Sequence, residues 1–103
     1  MRIIVAEDDP VTRKIVGCAL EDLGHTTVVV ADGEQAWNAF LMEQPDVILS
    51  DWQMPNCNGI ELCQRVRAHG GRYTYFIMLT SHHEHAERLN GIQAGADDYL
   101  AKP

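Results

Sequence analysis

The sequence lacks several features that would assign it to a particular class of protein. Basic residues are scarce: 8 Lys and Arg stand against 15 Asp and Glu, which gives a net charge of −7. Neutralising nucleic-acid phosphates needs a basic face, so we expect no direct nucleic-acid contact by this segment. No apolar run approaches the roughly 20 residues that cross a bilayer, so we expect no membrane association.

Cysteine is also rare. Cys18, Cys57 and Cys63 are odd in number and contain no CxxC pair, which argues against a disulfide framework or a zinc site. The start, Met1–Ile3, enters an apolar run directly, without the pattern of a secretory signal. These features together predict a reducing, cytoplasmic location.

What the chain does contain is a regular alternation of strand-like and helix-like segments. Strands are predicted at residues 2–6, 27–30, 46–50, 75–79 and 98–101. Helices are predicted after the N-cap residues Asp9 and Asp32, from Gly59 to about His69, and over about 84–94. The first carries Val11, Ile15, Cys18, Ala19 and Leu23 at helical spacing, and the third turns Leu62, Cys63 and Val66 inward. This order predicts a parallel sheet with helices on both faces.

The last predicted strand is followed by Lys102 and Pro103, where a fifth helix would be expected to cover one sheet face. We therefore interpret residues 1–103 as one domain that is a fragment of a longer chain. The uncovered face would expose an apolar strip, which favours association.

Four of the apolar runs end in residues that can bind an ion or react. These residues are Glu7, Asp8 and Asp9 after the first run, Asp51 after the third, Thr80 after the fourth and Lys102 after the fifth. The carboxyl ends of parallel strands share one edge, where ligands bind, so these side chains are expected to lie close together. A single acid is as readily explained as a helix cap, as for Asp9 and Asp32, but the whole set is not.

The chemistry of the set suits a divalent cation and a phosphoryl group. Asp51 can act as a nucleophile that forms an acyl phosphate. Because the phosphoryl donor and the product are both anionic, a cation must neutralise them, and Mg²⁺ takes oxygen ligands that Glu7 and Asp8 can supply. Lys102 can pair with the phosphoryl oxygens, and Thr80 can donate its hydroxyl to them.

Several separate blocks of the sequence resemble the receiver domain of two-component response regulators, over essentially the full length. The matching blocks are Ile3–Pro10, Asp51–Pro55 with Gly59, Leu79–Ser81, Ala94–Tyr99 and Lys102–Pro103. The resemblance implies an α/β fold: a flavodoxin-like, doubly wound, five-stranded parallel sheet of order 2-1-3-4-5, lacking the last helix in this chain.

The resemblance also implies what the site residues do. Asp51 would accept a phosphoryl group from a histidine kinase or a phosphotransfer protein, in a Mg²⁺-dependent reaction. The Mg²⁺ would be held by Glu7, Asp8, Asp51 and the backbone carbonyl of Gln53, with Asp8 rather than Glu7 favoured as the direct ligand.

Three further residues take implied roles at the other strand ends. Thr80 and Lys102 would contact the phosphoryl group. Tyr99 would be a rotamer switch that turns inward as Thr80 moves toward the phosphate. The Lys102–Pro103 peptide bond would be cis, as it often is in the family.

The family resemblance implies a regulatory domain rather than an enzyme, with an output domain in the same chain or in a partner protein and with a homodimer as a further expectation. Parts of the sequence resemble receivers joined to cyclic-di-GMP modules.

Cys57 and Asn58 depart from the family pattern, which more often has an aliphatic residue and Asp at these two positions, so this departure bears on how the loop packs. Arg67 is interpreted as part of a solvated helix face, and Asp97 as a turn residue.

Two other functions stay open at this point. A haloacid-dehalogenase-like phosphatase also uses a strand-end Asp, but it places a general acid two positions later, where this chain has Gln53. A non-phosphorylated interaction module would keep only the fold, which the intact set of polar residues disfavours. A Rossmann nucleotide-binding domain is weaker, since no GxGxxG follows the first strand. The cluster His82, His83, Glu84 and His85 is interpreted as a solvated loop or the start of a helix rather than a metal site.

Overall fold

The computed structural model describes residues 1–80 and 94–102. Five strands form a single parallel sheet in the order β2-β1-β3-β4-β5. The strands are β1 (Arg2–Ala6), β2 (Thr26–Val30), β3 (Val47–Asp51), β4 (Tyr75–Thr80) and β5 (Asp98–Ala101). The helices are α1 (Pro10–Asp22), α2 (Gly33–Glu43) and α3 (Gly59–His69). The predicted sheet and its strand order are therefore confirmed.

Some of the predictions fall on residues outside the described ranges. They are the fourth helix over about 84–94, the cluster from His82 to His85, and the Lys102–Pro103 peptide bond. Among the helices that are described, none is long and apolar enough to span a membrane.

The strand register brings the carboxyl ends of the central strands to one edge. It pairs Ala6 with Ser50, Asp51 with Leu79, and Thr80 with Ala101. The buried side chains of β1, β3 and β4 alternate between two apolar clusters, one on each face of the sheet. On one face Ile4, Ile48 and Phe76 pack with α2 and α3, and on the other face Val5 and Leu49 pack under α1. Two buried faces hold these strands rigidly, which fixes the groups at their ends.

Side-chain caps begin each of the three helices listed above for the described residues. The carboxylates of Asp9 and Asp32 accept hydrogen bonds from the backbone N–H groups of Thr12 and Gln35, so both predicted caps are confirmed. In α3 the Asn58 side chain accepts from the N–H of Glu61, whose carboxylate accepts from the Asn58 N–H in return. This capping box supplies partners for two backbone donors at the start of α3.

The predicted inward face of α3 is confirmed, whereas the apolar residues that recur at helical spacing in α1 do not form its buried face. Leu62, Cys63 and Val66 of α3 are buried. In α1, Val11, Ile15 and Leu23 keep 65%, 51% and 73% of their surface exposed. The helix instead packs through Val16 and Leu20, on either side of Gly17, where an added Cβ would lie 3.3 Å from Val29 Cγ2. The close approach at glycine sets which face of α1 meets the sheet, and apolar spacing alone does not show it.

Candidate functional site

The polar residues predicted at the strand ends lie together at the carboxyl edge of the sheet. Glu7 and Asp8 follow β1, Asp51 ends β3, and one carboxylate oxygen from each lies within 4.8 Å of the others. Lys102, directly after β5, places its Nζ 2.8 Å from Asp51 Oδ2 and 3.0 Å from Glu7 Oε1. Thr80 ends β4, and its carbonyl accepts a hydrogen bond from the Lys102 N–H at 2.8 Å.

The burial of these groups is uneven. Glu7 is fully buried and Asp51 and Thr80 are each 4% exposed, while Asp8 is exposed. Glu7 Oε2 accepts from the Asp9 N–H at 3.0 Å. Within the described part of the chain, Glu7 Oε1 receives no well-directed hydrogen bond, so the Lys102 ammonium compensates it by charge alone. A buried carboxylate oxygen held only by an ion pair is electrostatically under-satisfied.

The cluster as a whole carries more acid than base. Burial raises the pKa of Asp51 to about 7; the Lys102 ammonium opposes the rise, and the neighbouring Glu7 adds to it. For Asp8, burial acts to raise the pKa, but hydrogen bonds with Glu7 and Asp51 outweigh it and hold the pKa below its usual value. For Lys102, burial acts to lower the pKa, yet the close contacts of its ammonium with the Asp51 and Glu7 carboxylates raise it. Three carboxyl groups facing one ammonium therefore form a site with an affinity for further positive charge.

The loop after Asp51 is fixed to the sheet edge by its backbone. The Trp52 N–H donates to the Leu79 carbonyl at 3.3 Å, and the Gly59 N–H donates to the Trp52 carbonyl at 2.8 Å. A Cβ added to Gly59 would lie 2.4 Å from the Asp51 carbonyl oxygen, so α3 can begin this close to Asp51 only with glycine. Gln53 is exposed in the loop between these two contacts.

Tyr99 lies in β5, paired in register with Met78 of β4. Its side chain is half-buried and packs against the cluster on the α2 and α3 side of the sheet. Tyr99 and Thr80 thus lie on adjacent strands. Thr80 is two residues closer to the carboxyl edge of the sheet than Met78, the residue of β4 that pairs with Tyr99.

Sequence reasoning missed three polar residues: one contacts this edge, and two hold the start of β5 at the opposite edge of the sheet. Arg13 of α1 donates from Nη1 to the Glu7 carbonyl at 2.9 Å. Arg67, interpreted as solvated, instead donates to the carbonyls of Gly95 and Thr74 at 2.9 and 2.7 Å and to Asp97 Oδ2 at 2.7 Å. Asp97 is thus more than a turn residue. The contacts of Arg67 and Asp97 join positions about 30 apart in sequence, so no local pattern reveals them.

The Asp97 carboxylate holds the start of β5. Its Oδ2 also accepts from the Phe76 N–H at 2.9 Å, and its Oδ1 accepts from the Tyr73 hydroxyl. The Arg67 guanidinium stacks on the Tyr73 ring at 4.6 Å from its centroid. These contacts fix the start of β5, the strand that contains Tyr99 and leads into Lys102.

Comparison with known proteins gives a consistent family. A family model described as "Response regulator receiver domain" matches residues 3–103. The chain is 37% identical over 102 residues to the probable transcriptional regulator ycf27 of Guillardia theta, covering 99% of this chain and 39% of that protein. It is also 37% identical over 102 residues to the DNA-binding response regulator MtrA of Mycolicibacterium smegmatis, with 99% and 44% coverage. The chain therefore spans less than half the length of these curated relatives.

Solved structures agree. The receiver domain of the sensor histidine kinase PA1611 from Pseudomonas aeruginosa, with a magnesium ion coordinated in its active-site cleft, superposes with a TM-score of 0.89 at 37% identity, covering 99% of this chain and 84% of that one. The chemotaxis protein CheY4 of Vibrio cholerae superposes with a TM-score of 0.92 at 30% identity, covering 99% and 86%. The chain belongs to the response regulator receiver domain family, whose members are phosphorylation-dependent switches of two-component signal transduction.

Proposed function

We propose that Asp51 is the phosphoryl acceptor of this receiver domain. The observation that carries the proposal is the placement of a buried Asp51 carboxylate between one ammonium, that of Lys102, and two further carboxylates. An Asp51 oxygen would attack the phosphorus of a phosphohistidine, forming a P–O bond while the P–N bond breaks and the imidazole takes up a proton. Hydrolysis of the acyl phosphate by water would return the carboxylate and release inorganic phosphate.

The residues present fit a Mg²⁺ ion. Carboxylate oxygens of Glu7, Asp8 and Asp51 converge within 4.8 Å, and hard oxygen donors with excess negative charge are what Mg²⁺ prefers. We assign these three carboxylates and the carbonyl of Gln53 to the Mg²⁺ site. Of the acidic pair Glu7 and Asp8, Asp8 would be the direct ligand, because it is exposed and water can reach it. When bound, Mg²⁺ would neutralise charge on the phosphoryl oxygens.

The remaining residues would hold the product and relay the change. Lys102, already paired with Asp51, would contact the phosphoryl oxygens as a point charge. Thr80 would donate its hydroxyl to the same oxygens, and its movement would let Tyr99 turn inward. Phosphorylation adds about −1.5 to −2 charge and three acceptor oxygens, which is enough to bias two packings of one face.

The partners follow from the same chemistry. A phosphohistidine on a histidine kinase or a phosphotransfer protein is the donor that suits a buried carboxylate acceptor. The output would lie in a further domain or in a partner protein, and the regulators of transcription named above make a DNA-binding output one specific form of it. The cyclic-di-GMP-related output, the homodimer and the interpretation of residues 1–103 as a fragment stay predictions. Gln53, which stands where the haloacid-dehalogenase-like phosphatases have their general acid, gives no support to that alternative.

Intact mass spectrometry after incubation with Mg²⁺ and acetyl phosphate tests the proposal. We expect the mass of one phosphoryl group to be added, only in the presence of Mg²⁺, and not in Asp51→Asn. Asp22→Asn, at an exposed position at the end of α1, is the matched control and should be modified like the wild type. A folded wild-type protein that gains no mass, or an Asp51→Asn variant that does, would contradict the assignment.

A further inference from the structure

The loop between β3 and α3, residues 52–58, is tied by a side-chain hydrogen bond to the start of α2. Asn56 donates from Nδ2 to Asp32 Oδ2 at 3.0 Å. The other oxygen of the same carboxylate, Oδ1, accepts from the Gln35 N–H at 2.8 Å as the N-cap of α2. One carboxylate therefore both begins a helix and binds the loop, across 24 positions of sequence.

Backbone packing reinforces this tie at the next residues. A Cβ added to Gly33, the first residue of α2, would lie 1.9 Å from the carbonyl oxygen of Cys57. The helix start and the loop are thus in direct backbone contact, and Cys57 is only 3% exposed. Asn56 itself has a φ of 71°, a left-handed conformation that Asn adopts more readily than most residues. The loop is held in one shape at this point.

The same loop has a second role under the proposed function. It begins with Trp52 and Gln53, and the Gln53 carbonyl is the one uncharged protein ligand assigned to Mg²⁺. A carbonyl has no net charge to draw it toward the ion, so its contribution to affinity depends on how far the backbone is already fixed before binding. The Trp52 contacts fix one end of the loop, and the Asn56 contact fixes the other.

We propose that Asp32 and Asn56 are positioning residues for the metal site, holding the loop so that the Gln53 carbonyl stands ready for Mg²⁺. This inference rests on the proposed function. Neither residue is assigned as a ligand of the ion or as a contact of the phosphoryl group. Their effect reaches the site through the loop backbone, and it depends on the two side chains being bonded to each other.

Two single variants and their double separate this role from a general structural one. Asp32→Ser keeps a good N-cap but is too short to reach Asn56. Asn56→Gly keeps the left-handed backbone and removes the amide. Asp32→Asn keeps the length and the oxygen that caps α2, and its Nδ2 can donate to the Asn56 Oδ1 when the Asn56 amide turns over, so it serves as the rescue variant.

The readout is the Mg²⁺ dissociation constant, followed through the emission of Trp52 in a Trp37→Phe background and by calorimetry in the wild-type background. Each single variant should weaken Mg²⁺ binding by roughly 2- to 10-fold, the range for loss of one hydrogen bond. The double variant should bind Mg²⁺ no more weakly than either single variant, because the two substitutions remove the same hydrogen bond. Asp32→Asn should bind Mg²⁺ like the wild type, and metal-free melting temperatures should separate loss of affinity from loss of fold.

The outcomes distinguish this inference from the proposed function. If the wild type binds Mg²⁺ and accepts a phosphoryl group while the variants keep its dissociation constant, the positioning role is overturned and the proposed function stands. Effects that add in the double variant would also overturn it, since they would show two independent contributions. A folded wild type that binds no Mg²⁺ would overturn both.

Discussion

The ammonium of Lys102 lies 2.8 Å from Asp51 Oδ2 and bridges the ends of β5 and β3. The same nitrogen lies 3.0 Å from Glu7 Oε1, so one cation serves two buried carboxylates. One ammonium cannot neutralise the charge of both carboxylates. Burial raises the pKa of Asp51 to about 7, although the Lys102 ammonium acts to lower it. The metal-free site is therefore electrostatically strained in a way that can be measured.

The first prediction concerns the pH dependence of stability without metal. The folded-state pKa of Asp51, about 7, lies above its unfolded value near 3.8, so the native state binds more protons between these pH values. Its contribution to the free energy of unfolding must then fall as pH rises from about 4 to 7. We expect Asp51→Asn to gain roughly 2 to 4 kcal/mol relative to the wild type across this range.

Urea titrations with EDTA present, at several pH values, measure this difference. Asp22→Asn controls for loss of a surface carboxylate and should track the wild type. A constant difference between Asp51→Asn and the wild type from pH 4 to 8 would show that Asp51 titrates normally.

The second prediction concerns Arg67, which makes three directed hydrogen bonds from a partly buried guanidinium. Lysine can keep the charge but cannot reproduce that planar set of donors. We expect Arg67→Lys to lower the free energy of unfolding by about 1 to 3 kcal/mol. Arg72→Lys is the matched control, because Arg72 pairs with Asp46 at an exposed position and should change stability by less than about 0.5 kcal/mol. Equal effects in chemical denaturation would contradict the structural role of Arg67.

The third prediction concerns acid sensitivity at Asp97. Burial acts to raise the pKa of Asp97, but hydrogen bonds from Tyr73 and the Phe76 N–H and the charge of Arg67 hold it below its usual value. The unfolded chain then binds the proton more tightly, so this carboxylate stabilises the fold above its unfolded pKa, and the stability is lost as pH falls through the folded pKa. Asp97→Asn should be less stable near neutrality and should lose less stability on acidification. Melting temperatures between pH 7 and 3 that fall in parallel would contradict this.

The fourth prediction compares two helix glycines. At Gly59 an added Cβ would lie 2.4 Å from the Asp51 carbonyl oxygen, a backbone atom that cannot give way without moving Asp51. At Gly17 it would lie 3.3 Å from a terminal methyl of Val29. We expect Gly59→Ala to lose about 1 to 3 kcal/mol of stability and Gly17→Ala to stay near the wild type, helped by the better helix propensity of Ala. Differential scanning calorimetry of both variants checks the comparison, and a stable Gly59→Ala would contradict it.

The fold and the core of the site were predictable from sequence because their signals are local. Glu7, Asp51 and Thr80 are visible in the sequence as polar residues at the ends of apolar runs, and parallel strands bring such ends together. The confirmed caps Asp9 and Asp32 are equally local, since a capping side chain bonds to an N–H three positions later.

What escaped prediction depends on contacts between segments far apart in sequence. The buried face of α1 follows from the fit of Gly17 against Val29 rather than from apolar spacing. The Arg67–Asp97 ion pair joins residues whose neighbours in sequence look like ordinary surface. From sequence alone, charged residues of this kind are predicted to be solvated. Only the folded structure shows which distant segments bury them.

The described polar groups at the sheet edge come from four different strands, at sequence positions from 7 to 102. Under the proposed function, Asp51 would meet its assigned partners Glu7, Asp8, Thr80 and Lys102 only once β1, β3, β4 and β5 have all paired. Parallel pairing of strands distant in sequence is intrinsically slow. Under the proposed function, a chain with β5 detached would lack the Lys102 ammonium beside Asp51, so phosphorylation would depend on a complete sheet.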